Sequence, residues 1–543
     1  MKQQRIPATT PQLKTALLMV AIVLSAVTAS SQTYTVLYNL GSATGDPLSP
    51  EYIGIFAQGR DGNLYSTSQN GGTSNNGAIF QLTPGGNMKV LYSFDGNIGA
   101  SPRGGLTLGT DGSLYGTTLS GGTNSDGTVF KITIGGQFTV LHNFANGDDG
   151  YGPLAAPTQG TDGNFYGTAV QTFGPWSMYK ITPTGILTTV FTATSSIENG
   201  HTPGTLVLGT DGNFYGATQF GGAQDRGTIF RITPQGKYTM LHSLIGTDGQ
   251  NALSPLIQAN DGNFYGITNQ GGAKNIGAFY KMAPAGLLTD IFNFTSNITG
   301  YEPSVGPVQA TDGNFYGTAG LRLFEVTAAG SYTIVHNFDI LTGFGSGGPL
   351  FQHTTGILYG DTNSGGTGNP CACGVLYSLS MGLGPFVRFV GPQFSGKVGK
   401  SIEILGQGFT GTSKVSFHGV AASFAVVSDS YLTATVPAGA TTGSVTVTTP
   451  GGTLTSNRVF RVTPAILSFS PTSGPVGTPV TITGVSFTGA KSVTFGGVKA
   501  ITFSVDSDTQ ITATIPTGAK TGKIQVTTPG GTVTSPAVFT VTP

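Results

Sequence analysis

The chain has 543 residues, of which 86 are Gly, 38% are hydrophobic and only 9% are charged, with a formal net charge of zero. That length allows several domains, and the aromatic content of 10% is enough to fill cores, so the Gly marks tight turns rather than a low-complexity tract. Residues 30–381 carry 11 Lys and Arg against 20 Asp and Glu, and residues 382–543 carry 10 against 4; neither part has a dense basic stripe, which excludes nucleic acid as the expected partner.

Residues 1–29 read as an export signal. Lys2, Arg5 and Lys14 precede the apolar run Ala16–Leu24, and Val27-Thr28-Ala29 offers a cleavage site. The run is shorter than the ~20 residues of a membrane helix; a retained anchor is the alternative. No later segment is long and apolar enough to span a bilayer. The processed chain is expected to be secreted or at the cell surface.

Residues 32–381 repeat one unit. Asp-Gly pairs begin at Asp61, Asp111, Asp162, Asp211, Asp261 and Asp312, spaced 50, 51, 49, 50 and 51 residues apart, and a seventh copy at Thr355-Gly356-Ile357-Leu358-Tyr359 lacks the Asp. Each unit holds four short runs rich in Val, Thr, Tyr and Phe, bounded by Gly or Asp, which is a strand pattern. Asp-Gly favours a two-residue hairpin, with the Asp carboxylate bonding nearby backbone N–H groups. A lone four-stranded sheet leaves both faces bare; seven stacked radially cover each other, as in a propeller. The chain starts with an outer-type strand, Tyr34–Leu40, and the last unit stops at its third strand, Val375–Leu379. The first strand is therefore expected to complete the seventh sheet and remove an exposed edge.

These units resemble the Gly-rich tandem GloVer repeat of exported bacterial proteins. The resemblance rests on Asp-Gly-Asn-Phe-Tyr-Gly at 211–216 and 261–266, with Gly-Gly and Gly-Thr-Ile-Phe (227–230) downstream. They are also loosely similar to other bacterial propellers, including a streptogramin-type lyase, whose acid–base residues have no counterpart that can be placed here.

From about residue 382 the period changes to roughly 79 residues, expected as two modules, 382–463 and 464–543. Phe409-Thr410-Gly411 recurs as Phe487-Thr488-Gly489, and Thr448-Thr449-Pro450-Gly451-Gly452 as Thr527-Thr528-Pro529-Gly530-Gly531. Short alternating runs such as Val480-Thr481-Ile482-Thr483 fit two β-sandwiches. They resemble IPT/TIG domains, an immunoglobulin-like family, through Ser470-Pro471-Thr472-Ser473-Gly474-Pro475 and Val493-Thr494-Phe495-Gly496-Gly497. The first copy departs at its start, where Val390-Gly391-Pro392-Gln393 replaces the Ser-Pro opening. The expected fold is all-β: a seven-bladed propeller of four-stranded blades followed by two immunoglobulin-like sandwiches.

No catalytic motif, cofactor motif or metal-binding pattern is visible, and neither a cofactor nor a metal is expected. His142, His242 and His336 share one repeat position with Tyr38, Tyr92, Phe191 and Phe292; a position that accepts Phe is a packing position. Calcium at the repeated Asp residues is the alternative to their turn role, but the unit offers a single carboxylate where calcium wants several oxygens. Cys371 and Cys373 are expected to form a disulfide in an oxidising compartment, with free thiols the alternative.

Loops between units, and between the second and third strands, vary in length and content, and they share one end of the fold. Variable loops on a rigid ring are the expected binding surface. Asp148, Asp149, Tyr151, Trp176, Arg226 and Tyr301 are the candidate ligand-face residues; Trp176, the sole Trp, alternatively plugs a junction between sheets. Aromatics beside carboxylates and amides suit a sugar. The expected function is surface binding, adhesion or scaffolding toward a glycan or another envelope component, with the C-terminal domains as spacer or interaction modules. The rival reading is a polysaccharide hydrolase or lyase using Glu198 and Glu302 with His201 as proton carrier, which requires paired acids at a defined separation.

Overall fold

The computed structural model describes residues 32–50, 54–145, 147, 149–170, 176–252, 254–295, 299–301, 303, 305–367 and 372–543. The expected signal and its cleavage site lie outside them. Among the described residues the chain is all-β apart from one turn of helix, Ser196–Asn199.

Among the described residues the repeats form seven larger antiparallel sheets, numbered 1 to 7 by repeat, in a propeller-like arrangement: five are four-stranded, sheets 4 and 7 are five-stranded, and Pro47–Leu48 with Asn70–Gly71 makes a separate two-stranded pair. Sheet 2 shows the unit: Thr107–Leu108, Leu114–Thr118, Thr128–Ile132 and Phe138–Asn143, each paired with the next. The Tyr-Gly pair of the second strand has a packing cause. A Cβ on Gly116 would lie 2.5 Å from the Phe130 ring, and one on Gly266 2.4 Å from the Tyr280 hydroxyl. The glycine gives the cross-strand aromatic a floor to lie on.

The Asp-Gly turn differs from the expected two-residue hairpin. Gly62 N donates to Gly59 O, Gly59 N donates to Asn63 O, and Gly62 sits at φ +79°. This is a longer turn closed by a left-handed Gly. The Asp precedes that Gly, where its carboxylate reaches Asn63 two residues on.

Thr33–Asn39 pairs antiparallel with Val375–Ser380, the third strand of the last repeat. The register shift at Val36/Tyr38 matches those at Val129/Phe130, Ile229/Phe230 and Phe279/Tyr280, so the first strand is built as an ordinary outer strand. Successive sheets bury apolar clusters between them. Phe94 of sheet 1 meets Leu106 and Phe130 of sheet 2, and Tyr215 of sheet 4 meets Phe264 and Tyr280 of sheet 5. Tyr359 and Leu376 of sheet 7 meet Phe56, Leu64 and Phe80 of sheet 1.

A polar link joins sheets near their inner strands. Gln159 Oε1 accepts from Thr110 N of the preceding sheet (3.1 Å), Gln258 from Thr210 N (2.8 Å), Gln309 from Asn260 N (2.9 Å) and Gln352 from Thr311 N (3.0 Å). Gln58 makes the same link to Thr354 of sheet 7, where its Nε2 donates to the Thr354 hydroxyl at 2.8 Å. Leu108 and Leu208 occupy this position in the remaining two sheets.

Residues 385–541 form two β-sandwiches, each with its own core: Val387, Ile402, Phe417 and Val447 in the first, and Val480, Phe495, Ile511 and Phe539 in the second. The first also packs on the end of the repeats that carries the Asp-Gly turns. Val390, Leu405 and Tyr431 join the cluster of Ala57, Leu106 and Leu108, and Phe394 packs beside Leu206 and Leu208. Arg60 pairs with Glu403 at 2.6 Å and stacks on Tyr431, while the Ser430 hydroxyl donates to Arg60 O. The first module is thus docked, not a free spacer.

Candidate functional site

The repeats have two different ends. At the docked end the Asp-Gly aspartates are structural. Asp261 Oδ1 accepts from Asn263 N and Oδ2 accepts from Asn263 Nδ2 (2.7 Å) and Tyr265 Oη (2.9 Å). The tyrosine bond recurs at Asp61, Asp111, Asp162, Asp211 and Asp312 with Tyr65, Tyr115, Tyr166, Tyr215 and Tyr316. Burial pushes the Asp162 and Asp261 carboxyls up, but these hydrogen bonds outweigh it and hold both below the usual carboxylate range. Burial, then the neighbouring Asp, holds Tyr265 protonated. In repeat 7, which lacks the Asp, Tyr359 Oη donates to Pro84 O instead. The tyrosine's share in the turn is absent from the sequence reading, although its spacing of four residues is constant.

At the opposite end, between-sheet segments pair with the second strands: His201–Pro203 with Phe220 and Thr218, and Tyr151 with Val170. Several expected ligand-face residues are already engaged here. Asp149 binds His142 Nε2 at 2.9 Å, as Asp248 binds His242 at 2.7 Å, so these histidines tether the loops rather than merely fill space. The third copy, His336, stacks on Tyr34 at 3.8 Å between ring centres. Arg226 donates to the Gln250 side chain. Trp176 is 0% exposed, packed on Phe191 and Phe230 with its indole N–H donated to Asn199 O. It plugs the junction between sheets 3 and 4 and has no face for a ligand. Tyr151 is half-buried, and Tyr301 is exposed at 44%.

Of the residues of the rival catalytic reading, Glu198 and His201 are described and lie apart in their contacts. Glu198 is exposed on the single helical turn, and His201 stacks on Phe220 and lies 3.7 Å from Asp225. No hydrogen bond or ion pair joins Glu198 to His201 among the described residues. Asp148, Glu302 and Cys371 lie outside the described residues; Cys373 is buried and disulfide-bonded. Among the described residues no group of three or more His, Cys, Asp and Glu side chains is arranged to hold a metal ion, and no helix is long and apolar enough to cross a membrane.

What this end does present is a set of exposed apolar side chains from successive between-sheet segments: Ile98, Ile197, Ile245, Tyr301, Ile340 and Phe344, between 38% and 65% exposed. Each is an apolar side chain left open to solvent in a between-sheet segment of this end. Sequence reasoning named Tyr301 alone, because single Ile and Phe residues in polar loops carry no periodic signal.

The Gloeobacter/Verrucomicrobia repeat family model matches residues 23–175 and 171–373, and the IPT/TIG domain model matches residues 385–462 and 464–541. No curated protein matches the chain. Among solved structures, a streptogramin B lyase is similar at 14% identity over 64% of this chain and 97% of that one, with a TM-score of 0.47. The surface glycan-binding protein PbSGBP-B from Prevotella bryantii is similar at 21% identity over 28% of this chain, with a TM-score of 0.22. SGBP-B from a xyloglucan utilization locus of Bacteroides uniformis is similar at 24% identity over 28% of this chain, with a TM-score of 0.15. The chain spans less than half the length of these two glycan-binding proteins, 41% and 48%.

Proposed function

We propose that this chain, which belongs to the Gloeobacter/Verrucomicrobia repeat family and carries two IPT/TIG domains, is an exported surface-binding module for glycan. In this reading residues 32–381 are a seven-bladed ring, and residues 382–463 and 464–543 are the two immunoglobulin-like domains. The loop end of the ring faces the ligand, and the docked domain occupies the other end.

One observation carries the proposal. The end left uncovered displays Ile98, Ile197, Ile245, Tyr301, Ile340 and Phe344. Sugars offer apolar C–H faces to exposed aromatics, and their hydroxyls suit the amides of neighbouring loops such as Gln250 and Gln270, which already bond one another at 2.7 Å. The carboxylates of this end are largely spent on structure, which favours binding over catalysis.

The test is polysaccharide binding by the full processed chain on a glycan array, followed by calorimetry with the strongest hit. Tyr301→Ala combined with Phe344→Ala should weaken binding at least about tenfold, with no change in melting temperature. Trp176→Ala should act through stability alone. Undiminished binding by the double variant, or hydrolysis of the bound polysaccharide, would overturn the reading.

A further inference from the structure

Beneath the docked immunoglobulin-like domain lies a cavity of about 230 Å³, lined by Arg388, Phe389, Gly391, Phe394, Asn457 and Arg458. A second hollow of about 210 Å³ shares Arg388, Phe389 and Gly391 and reaches the inner strands of sheets 1, 2 and 7 at Gln58, Leu106 and Phe351. The space therefore lies between the docked domain and the inner strands of these three sheets.

Its charge is unusual. The Arg388 guanidinium stands over the Phe351 ring at 4.3 Å from its centre and makes no hydrogen bond to the described protein. Arg458 makes one, to Gln258 O at 3.2 Å. Neither pairs with a carboxylate among the described residues; Glu403 of the same domain is already paired with Arg60. The charged neighbours that each feels are cations: Arg458 for Arg388, and Arg461 for Arg458. Asp211 acts on Arg461 but not on Arg388 or Arg458. Both Arg388 and Arg458 lie deep in the protein yet keep part of their side-chain surface accessible, as groups lining a cavity do.

Arginine does not shed its proton to relieve such crowding. Two uncompensated guanidinium groups in a low-dielectric hollow are costly unless an anion lies between them. Their planar forks match the paired oxygens of a carboxylate or phosphate. The phenylalanine walls add an apolar boundary, and Asn457 adds an amide.

We propose that this cavity is a binding site for a small oxyanion, a carboxylate or phosphate group held between Arg388 and Arg458, at the opposite end of the repeats from the loop surface. The site stands independently of the glycan reading.

The test is titration of the full processed chain with inorganic phosphate and with glucuronate, at constant ionic strength with chloride as the balancing salt, by calorimetry and thermal unfolding. Saturable binding of either probe supports the site, and the preferred probe identifies the oxyanion as phosphate or carboxylate. Arg458→Ala should weaken that binding more than about tenfold, the effect of losing a charged hydrogen-bonding partner. Arg388→Met keeps a long side chain over Phe351 but removes the charge. It should raise the melting temperature in chloride alone and abolish the rise produced by the anion. Lys520→Ala, in the second immunoglobulin-like domain, should bind as the parent does. Absence of saturable binding by both probes at millimolar concentration, or equal binding by Arg388→Met, would overturn the assignment.

Discussion

The two immunoglobulin-like domains are built alike, yet the first is fastened to the repeats through residues the second lacks. Arg388 pairs with Leu405 across the first domain's edge, and the matching pair in the second is Ser468 with Thr483. Leu405 is buried against the repeat sheets, whereas Ser468 and Thr483 are exposed. Glu403, the partner of Arg60, corresponds to Thr481. The opening Val390-Gly391-Pro392-Gln393, which breaks the family pattern, lies at the junction: Val390 enters the shared core, and a Cβ on Gly391 would sit 2.8 Å from the Gln159 side chain. A departure from a family motif can therefore mark where a module has been turned to a neighbour's use.

This contrast can be broken most sharply by one matched pair of substitutions. Leu405→Asp places an unpaired carboxylate in the junction and should cost upward of about 3 kcal/mol in denaturant unfolding. Thr483→Asp, at the same place in the second domain, should stay within about 0.5 kcal/mol. Equal losses would mean that docking contributes nothing to stability.

Proton linkage sharpens it next, because the docked domain covers sheet 7. His353 donates Nε2–H to Gly62 O at 2.9 Å, and the adjacent Thr354 bonds Gly406 and Phe386 of the first domain. Burial lowers the His353 pKa from 6.5 to about 4, with Arg388 adding to the shift. The unfolded chain then binds the extra proton, so this contribution is full above pH 6.5 and lost as pH falls to about 4. Asp361, buried with its Oδ1 accepting from Gly348 N, runs the other way. Burial raises its pKa from 3.8 to about 7, so its contribution is full below pH 3.8 and lost as pH rises to 7. Relative to the parent, His353→Gln should lose roughly 3 kcal/mol of stability as pH rises across its window. Asp361→Asn should gain roughly 4 kcal/mol as pH rises across its own. Urea unfolding at several pH values separates these opposite slopes; parallel curves for both variants would show that neither group titrates as its surroundings dictate.

The smallest effect belongs to the ion pair. Glu403→Gln should cost about 1 kcal/mol, since both partners remain partly open to solvent. Thr481→Gln should cost nothing measurable. A loss at Glu403 that vanishes in high salt would assign it to charge rather than to the hydrogen bond geometry.

Much of the architecture is legible in the sequence because it is periodic. The Asp-Gly spacing, the alternation of apolar runs and the misplaced first and last strands together locate the seven sheets and the pairing of Thr33–Asn39 with Val375–Ser380. The Tyr of the turn network and the inner-strand Gln links are equally periodic, but their meaning depends on which atom faces which neighbour, and strand propensity does not encode that. Trp176 shows the same gap: a lone aromatic beside a loop reads alike whether it points outward or into the junction. The docking surface and its arginines are harder still, because they arise from contacts between a sandwich and repeat strands far apart in sequence.

The strand Thr33–Asn39 carries a consequence for biogenesis. Its partner lies at the far end of the repeats, so during synthesis it emerges first and waits for Val375–Ser380 before it can pair. Joining such distant segments costs little more in chain entropy than joining near ones, about 0.6 kcal/mol for each doubling of the intervening length. The penalty is time rather than stability. Until the clasp shuts, an unsatisfied edge stays open at each extremity of the array, and two nascent molecules in that condition are able to exchange strands.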